Sequence, residues 1–498
     1  MALSEIILGI VCVFAAILLF FLISIYNNYK KVSHIPGAFQ FFLTFKNIPI
    51  ISPYLSFDGH KRMEQLVKTH GDPKTGLVRL SMFDRNMVVV SDRDMLKELL
   101  VVKGGIFIKS WKLYEVFNAF GKNILSILDG TSDSWKNHHK VASGAFASKN
   151  LEYMSRVASK SLDLCKESKW DGEMEKALKE GKEGIIIDTN ADFSDITLDV
   201  LGKAAFGLDF SIFDETNPEG RIFRKSLEKM FTTGVILKRF VGLNPVLSWA
   251  FPWACKYTGL DKAVKVVSDK LDAIIAERTR EVELRGMEDG NTSETGVEER
   301  KDLLSVLVEA NFIQKGILSG DELKSDAYIF SLAGHETTST TLQWVCYELS
   351  TKPDIQNKIR EEIDLHLGKG VNARAPNFDD YPIMNYVNAV IMETANRSDR
   401  NWDKPLEFIP ERYPMNAEEQ LRIQHDFTWI PFSMGNRKCI GFKFAQIEAF
   451  TILVRLLQFY ELGLDNDESN PKDQIVDVPG VTVRPGNCRI ILKPRKDL

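Results

Sequence analysis

The stretch Phe432–Gly441, FSMGNRKCIG, sets one cysteine among two glycines and an arginine, and the apolar run FKFAQIEAFTILVRLL follows directly. No second cysteine or histidine stands close by, which excludes a finger-type metal site. A turn holding one small buried residue would fit the composition, but the spacing fits a more specific chemistry. A lone thiolate can bind a haem iron from one side and push electron density toward bound oxygen. Backbone N–H groups of a tight turn, with Gly435 and Gly441, would moderate the charge on the Cys439 sulfur. Phe432 would shield that sulfur from water, and Arg437 would hold a haem propionate. Phe-x-x-Gly-x-Arg-x-Cys-x-Gly supplies all of these within ten residues.

Two further stretches carry chemistry. SLAGHETTSTTL, Ser331–Leu342, lies inside a helical pattern running from about Ser319 to Thr351. Gly334 is unfavourable in a helix interior and threonines are poor helix formers. Threonine hydroxyls also back-bond to carbonyls one turn earlier. The expectation is an interrupted, locally opened helix, with a small cavity where Glu336 stands beside Thr337. That pair suits proton delivery to bound dioxygen. A Thr-rich packing face is the competing explanation. In SWKNHHKVASGAF, Ser134–Phe146, Trp135 and His139 stand four apart on one helix face, and both can reach a carboxylate. A polar surface face with an anchoring Trp would show the same pattern.

The elements that must position these residues are mostly helical. Apolar residues recur at a 3.6-residue period over most of the chain to about Ala395. Gly76–Asp92 alternates apolar and polar residues around a turn at Asp84–Asn86, the pattern of a hairpin. Short strands broken by Pro-Gly return in Val476–Pro494. Arg278–Lys301 is charged and reads as a solvated loop. Val235–Tyr257 is apolar and aromatic, but Pro245 and Pro252 rule out a spanning helix. It is either core or a surface that dips into a membrane.

The chain has 498 residues, 44% of them hydrophobic, and a net charge of -5, which speaks against nucleic acid as a partner. Its six cysteines are widely spaced, as in a protein of a reducing compartment. Ile6–Ile25 is uncharged and about 20 residues long, the length that crosses a bilayer core at helical rise. Glu5 precedes it and Lys30 and Lys31 follow, so the positive-inside rule places the downstream bulk in the cytosol. The turn SHIPG, Ser33–Gly37, would end the anchor.

Together these stretches resemble the cytochrome P-450 family of haem-thiolate monooxygenases, over nearly the whole chain and most specifically at the cysteine loop. The resemblance implies a mainly α fold with small β-sheets, a haem-thiolate domain over 29–498 and one N-terminal transmembrane helix within 1–28. It implies haem as cofactor and Cys439 as its axial ligand, with Phe432 and Gly441 in the same loop and Arg437 as a propionate partner. Ala333, Gly334, Glu336 and Thr337 match the family's oxygen-activating helix. Trp135 matches the Trp of a propionate-binding Trp-x-x-x-Arg, whose Arg is His139 here. FIPERY, Phe408–Tyr413, places Arg412 in the family's salt-bridging position. The anchor is similar to that of microsomal members, which implies the endoplasmic reticulum membrane with the catalytic domain cytosolic. It also implies an NADPH-dependent flavoprotein reductase, dioxygen and an apolar substrate as partners. A haem-thiolate isomerase or dehydratase is an alternative, against which the Glu336–Thr337 pair speaks.

One region departs from the family pattern. A Glu-x-x-Arg helix is expected around Glu393, yet the fourth position holds Asn396 and the nearest arginine is Arg397. ANRSDRNWDKPLEF is similar to family sequence that lies a few tens of residues further on. The strands and loop between, which line the haem pocket, have no counterpart, and the join falls just after Thr394. A family member that holds haem poorly is therefore a further alternative.

Overall fold

Helices dominate the structure, as the apolar period requires, and short strands gather into small sheets. The structure, a computed structural model, describes residues 2–41, 48–54, 61–82, 85–146, 148–214, 216–244, 247–288, 302–313, 317–394, 404, 407–466, 474–478 and 482–495. Contacts divide the chain into two compact units, Met1–Leu99 with Val476–Pro479, and Leu100–Ile475 with Gly480–Leu498.

The first unit begins with the helix Ala2–Val32, which contains the uncharged run Ile6–Ile25. Among the described residues, no helix is long and apolar enough to cross a membrane. The expected hairpin is present: Leu77–Met82 pairs antiparallel with Asn86–Val90. Gly37–Gln40 adds a parallel strand on the other side of Leu77–Met82. Asn86 Nδ2 donates to Asn28 O at 2.7 Å, tying the hairpin to the end of the first helix.

The second unit holds the residues singled out above. Its spine is the long helix Gly320–Ser350, started by a capping box in which Ser319 and Glu322 bond each other's backbone N–H. This helix packs on Thr189–Ala205 and on Phe442–Phe459, the helix behind the cysteine loop. Leu162, Phe193, Ile196, Val345, Leu349, Phe450 and Leu453 form the buried centre. An antiparallel sheet of Ile185–Ile187, Ile490–Pro494 and Tyr460–Leu464 closes one side of the core.

Two expectations are corrected here. The helix is not interrupted at Ser331–Leu342 but runs unbroken through it. Gly334 is there for packing: a Cβ at that position would lie 2.7 Å from Leu201 Cδ1 on the neighbouring helix. Thr197 Oγ1 closes the same crossing by donating to His335 O at 3.0 Å. Back-bonding threonines use the second lone pair of a carbonyl and leave the helix ladder intact. The second correction concerns Arg278–Lys301, which is helical as far as Glu288, as part of Leu260–Glu288. Arg278 secures it, donating to Glu281 Oε2 at 2.7 Å and to Gly207 O at 3.1 Å. Residues 289–301 of that stretch lie outside the described residues.

Val235–Tyr257 is a series of short helical pieces ending in Phe251–Thr258, where Pro252 occupies the first turn. Leu237 and Cys255 pack against the core, while Trp249, Trp253 and Tyr257 are 80%, 70% and 80% exposed, so the segment joins the core on one side and shows an aromatic surface on the other.

Candidate haem-thiolate site

The cysteine loop folds as its glycines require. Cys439 N–H donates to Phe432 O at 2.9 Å and closes the loop. Gly435 has φ +71°, and a Cβ there would lie 2.1 Å from Leu100 O, so no other residue fits. The Gly441 N–H stands on the side of the Cys439 thiol that favours its ionised form. The residue is exposed, yet protein rings the sulfur closely enough to push the thiol above its ordinary value. Gly441 N–H and the Lys438 ammonium pull in the opposite direction. Burial also raises the thiols of Cys165, Cys255, Cys346 and Cys488. Phe432 packs edge-on against Trp429, with ring centres 6.0 Å apart. Trp429 Nε1 donates to Met392 O at 2.8 Å, which fastens the loop to the helix carrying Glu393.

Arg437 joins the loop to the helix Asp133–Ser143. Its guanidinium lies 5.2 Å from the Trp135 ring centre, and the His139 ring packs on the same indole at 4.8 Å. Nη2 donates to Ile127 O at 2.7 Å, while Nη1 is buried with no hydrogen-bond partner among the described residues. Gly130 makes room, since a Cβ there would lie 2.6 Å from Arg437 Cδ. Lys109 completes the cluster: its Nζ donates to Leu125 O at 2.7 Å and stands 4.3 Å from the Tyr114 ring centre. Burial, and then repulsion from Arg437, lower the Lys109 ammonium to about 7. The same two causes lower His139, so near neutral pH its imidazole offers a hydrogen bond where an arginine would offer charge. Desolvated basic groups gathered around an unused guanidinium N–H form a seat for an anion. Haem propionates fit it. Sequence reasoning missed Lys109, whose only signal was a lone cation in the apolar run GGIFIKSW.

The long helix presents its residues on two faces. His335 is buried, its Nδ1 donates to Ser331 O at 2.7 Å, and burial lowers it to about 4. Ala333 and Thr337 lie on the more open face, and Thr337 Oγ1 donates to Ala333 O at 2.7 Å, which keeps its lone pairs free to accept. Phe330, on that same face, packs against Phe146, 6.4 Å between ring centres. Phe146 also meets Phe444, and a Cβ on Gly441 would lie 3.5 Å from it. Phe146, just past the Trp135 helix, thus links the cysteine loop to Phe330 on the long helix. A groove of about 290 Å³ between Glu219–Lys229 and Leu260–Glu288, lined by Phe210, Phe223 and Val266, contains none of these residues.

Glu393 and Arg412 form the expected buried pair, Oε1 to Nε 3.1 Å, and Ile409 N–H donates to the same oxygen at 3.0 Å. Glu393 Oε2 is buried with no partner among the described residues. Burial pushes the carboxyl up to about 7 against the pull of Ile409 N–H and Arg412. Asn396 and Arg397 lie outside the described residues.

Comparison with known proteins identifies the family. The family model described as Cytochrome P450 matches residues 43–395 and 394–491, two stretches that meet at Thr394–Ala395. The chain is 26% identical to LUTEIN DEFICIENT 5, chloroplastic, of Arabidopsis thaliana, over 87% of this chain and 73% of that protein. It is 26% identical to cytochrome P450 3A7 of Homo sapiens, over 75% of this chain and 76% of that one. It is 25% identical to the Drosophila melanogaster protein named Probable cytochrome P450 6a14, over 475 positions that cover 85% of this chain and 87% of that one. Since 85% of 498 residues falls well short of 475, that alignment opens gaps totalling tens of positions within this chain.

Proposed function

This chain belongs to the cytochrome P450 family of haem-thiolate, oxygen-incorporating oxidoreductases, and we propose that Cys439 is its axial ligand. Arg437, Lys109, Trp135 and His139 hold the propionates, and Glu336 and Thr337 serve proton delivery. Bound haem supplies the insertion of one atom of dioxygen into an apolar substrate, the other atom leaving as water. The chain's part is to hold the sulfur under the Gly441 N–H, to shield it with Phe432 and to neutralise the propionates. The observation that carries this reading is a buried Arg437 Nη1 with no partner among the described residues, two positions before a cysteine held in a glycine-closed loop. Replacing Cys439 by Ser, with the other five cysteines kept, should abolish the thiolate band of the reduced, carbon monoxide-bound protein. A persisting band refutes the assignment.

The uncharged run Ile6–Ile25, followed by Lys30 and Lys31, supports a single-pass anchor in the endoplasmic reticulum membrane with the haem domain cytosolic. Some relatives are named as chloroplastic. An NADPH-dependent flavoprotein reductase is the electron donor that accompanies such an anchor. Exposed Trp249, Trp253 and Tyr257 support a second contact with the bilayer surface.

A second reading is favoured by Glu393: the chain as written retains haem poorly. The unpartnered Oε2 is where the missing arginine of Glu-x-x-Arg would donate. The two family matches meet at the same point. The absent segment would have supplied strands lining the haem pocket.

A further inference from the structure

His138, on the same helix as Trp135, is fully buried, and its Nδ1 donates to Asp326 Oδ2 at 2.6 Å. Asp326 belongs to the long helix and is equally buried; its Oδ1 accepts Ile124 N–H at 2.8 Å. Beside it, Asn123 Nδ2 donates to Ser325 Oγ at 3.1 Å, and Ser325 Oγ to Gly121 O at 2.7 Å. On the other side of the imidazole, Nε2 faces Glu322 Oε1 at 3.7 Å, beyond hydrogen-bond reach. Two helices and the loop 121–127 therefore converge on one carboxylate.

Apolar side chains of similar size would hold these helices at least as firmly, because desolvation offsets most of what a buried polar pair gains. A polar pair adds direction and register. His138 stands three residues after Trp135 and one before His139. Asp326 stands seven residues before Ala333 and eleven before Thr337, which puts all three on one helix face. The bond thus fixes both the rotation and the axial position of one helix on the other.

We propose that His138 is a positioning residue: its bond to Asp326 fixes the helix carrying Trp135 and His139 on the long helix, two turns before Ala333, and so places the propionate end of the cofactor. This rests on reading Trp135, His139 and Arg437 as the propionate cradle.

The test compares His138→Leu, His138→Asn, which keeps a donor near the Nδ1 position, and His138→Gln, which moves it toward Glu322. Amide hydrogen exchange is measured on the haem-free full chain. His138→Leu should speed exchange in Asp133–Ser143 by at least about tenfold, the factor a single charge-assisted hydrogen bond carries, and leave Phe442–Phe459 unchanged. His138→Asn should restore protection, and His138→Gln should not. In hemin-loaded protein, His138→Leu should release hemin to excess apomyoglobin faster than the parent, and His138→Asn at the parental rate. Unchanged exchange in His138→Leu, or equal rescue by Asn and Gln, overturns the proposal. If Leu unfolds the chain, both helices lose protection and the Asn–Gln comparison decides. If the chain holds no hemin, the exchange data decide alone. Arg437→Leu separates the two readings: unchanged hemin release there defeats the cradle, whereas faster release there but not in His138→Leu defeats only the positioning role.

Discussion

Replacing Glu393 by Gln should flatten part of the chain's dependence of stability on pH. Glu393 is only 3% exposed, and burial, opposed by Ile409 N–H and Arg412, moves its carboxyl from 4.5 to about 7. The folded chain therefore holds this proton more tightly than the unfolded chain. The resulting stabilisation is fully present below 4.5 and is lost as pH rises through about 7. The gap between the two values corresponds to about 3 kcal/mol, a large share of a typical stability of about 5–15 kcal/mol. Glutamine keeps an oxygen for Ile409 N–H but does not titrate. Urea midpoints of the parent and of Glu393→Gln, measured from pH 4 to pH 8, give the difference directly. Buried groups such as His335 titrate in both proteins and cancel. The parent should lose stability relative to the variant as pH rises through this window; parallel curves would refute the reasoning. Restoring the absent segment, with an arginine on Oε2, should reverse the sign. The carboxyl would then lie below its ordinary value, and its contribution would be lost as pH falls.

Other substitutions probe other parts of the account. Gly334→Val should destabilise the chain by about 1–3 kcal/mol through the clash with Leu201, read as a shifted urea midpoint; a neutral outcome would mean the two helices cross less closely. In a preparation that turns over, Thr337→Ala should raise oxygen consumed per product formed, since its hydroxyl no longer receives and passes a proton; unchanged coupling refutes the role. Deleting residues 1–28 should move the protein from the membrane pellet toward the soluble fraction. Serine at Trp249, Trp253 and Tyr257 should then remove most of the remaining binding to vesicles; complete solubility before those changes would confine membrane contact to the N-terminus.

Local signals were legible where the chain itself supplies both partners. The apolar period marks the long helix from about Ser319, alternation marks the hairpin, and glycine spacing marks the cysteine loop. Propensity treats a helix alone and sees in Gly334 a breaker, whereas the glycine answers to Leu201 across a helix crossing. Charge alone reads as loop at Arg278, yet arginine and glutamate are good helix formers and the helix continues. Lys109 and the His138–Asp326 bond were invisible because their meaning lies in partners far away in sequence. His139 was legible as a departure from the family's arginine, but the nearby Lys109 was not. The join after Thr394 was legible only against the family pattern.

The central claim is that the thiolate loop is built to hold haem while the wall lost at Thr394 weakens that hold. Haem content per chain, measured on the protein as written and on a version with the intervening segment restored, both expressed and purified alike, tests it most directly. The account predicts a thiolate-type haem spectrum near full occupancy in the restored protein and far lower occupancy in the chain as written. Equal haem content in the two would contradict it.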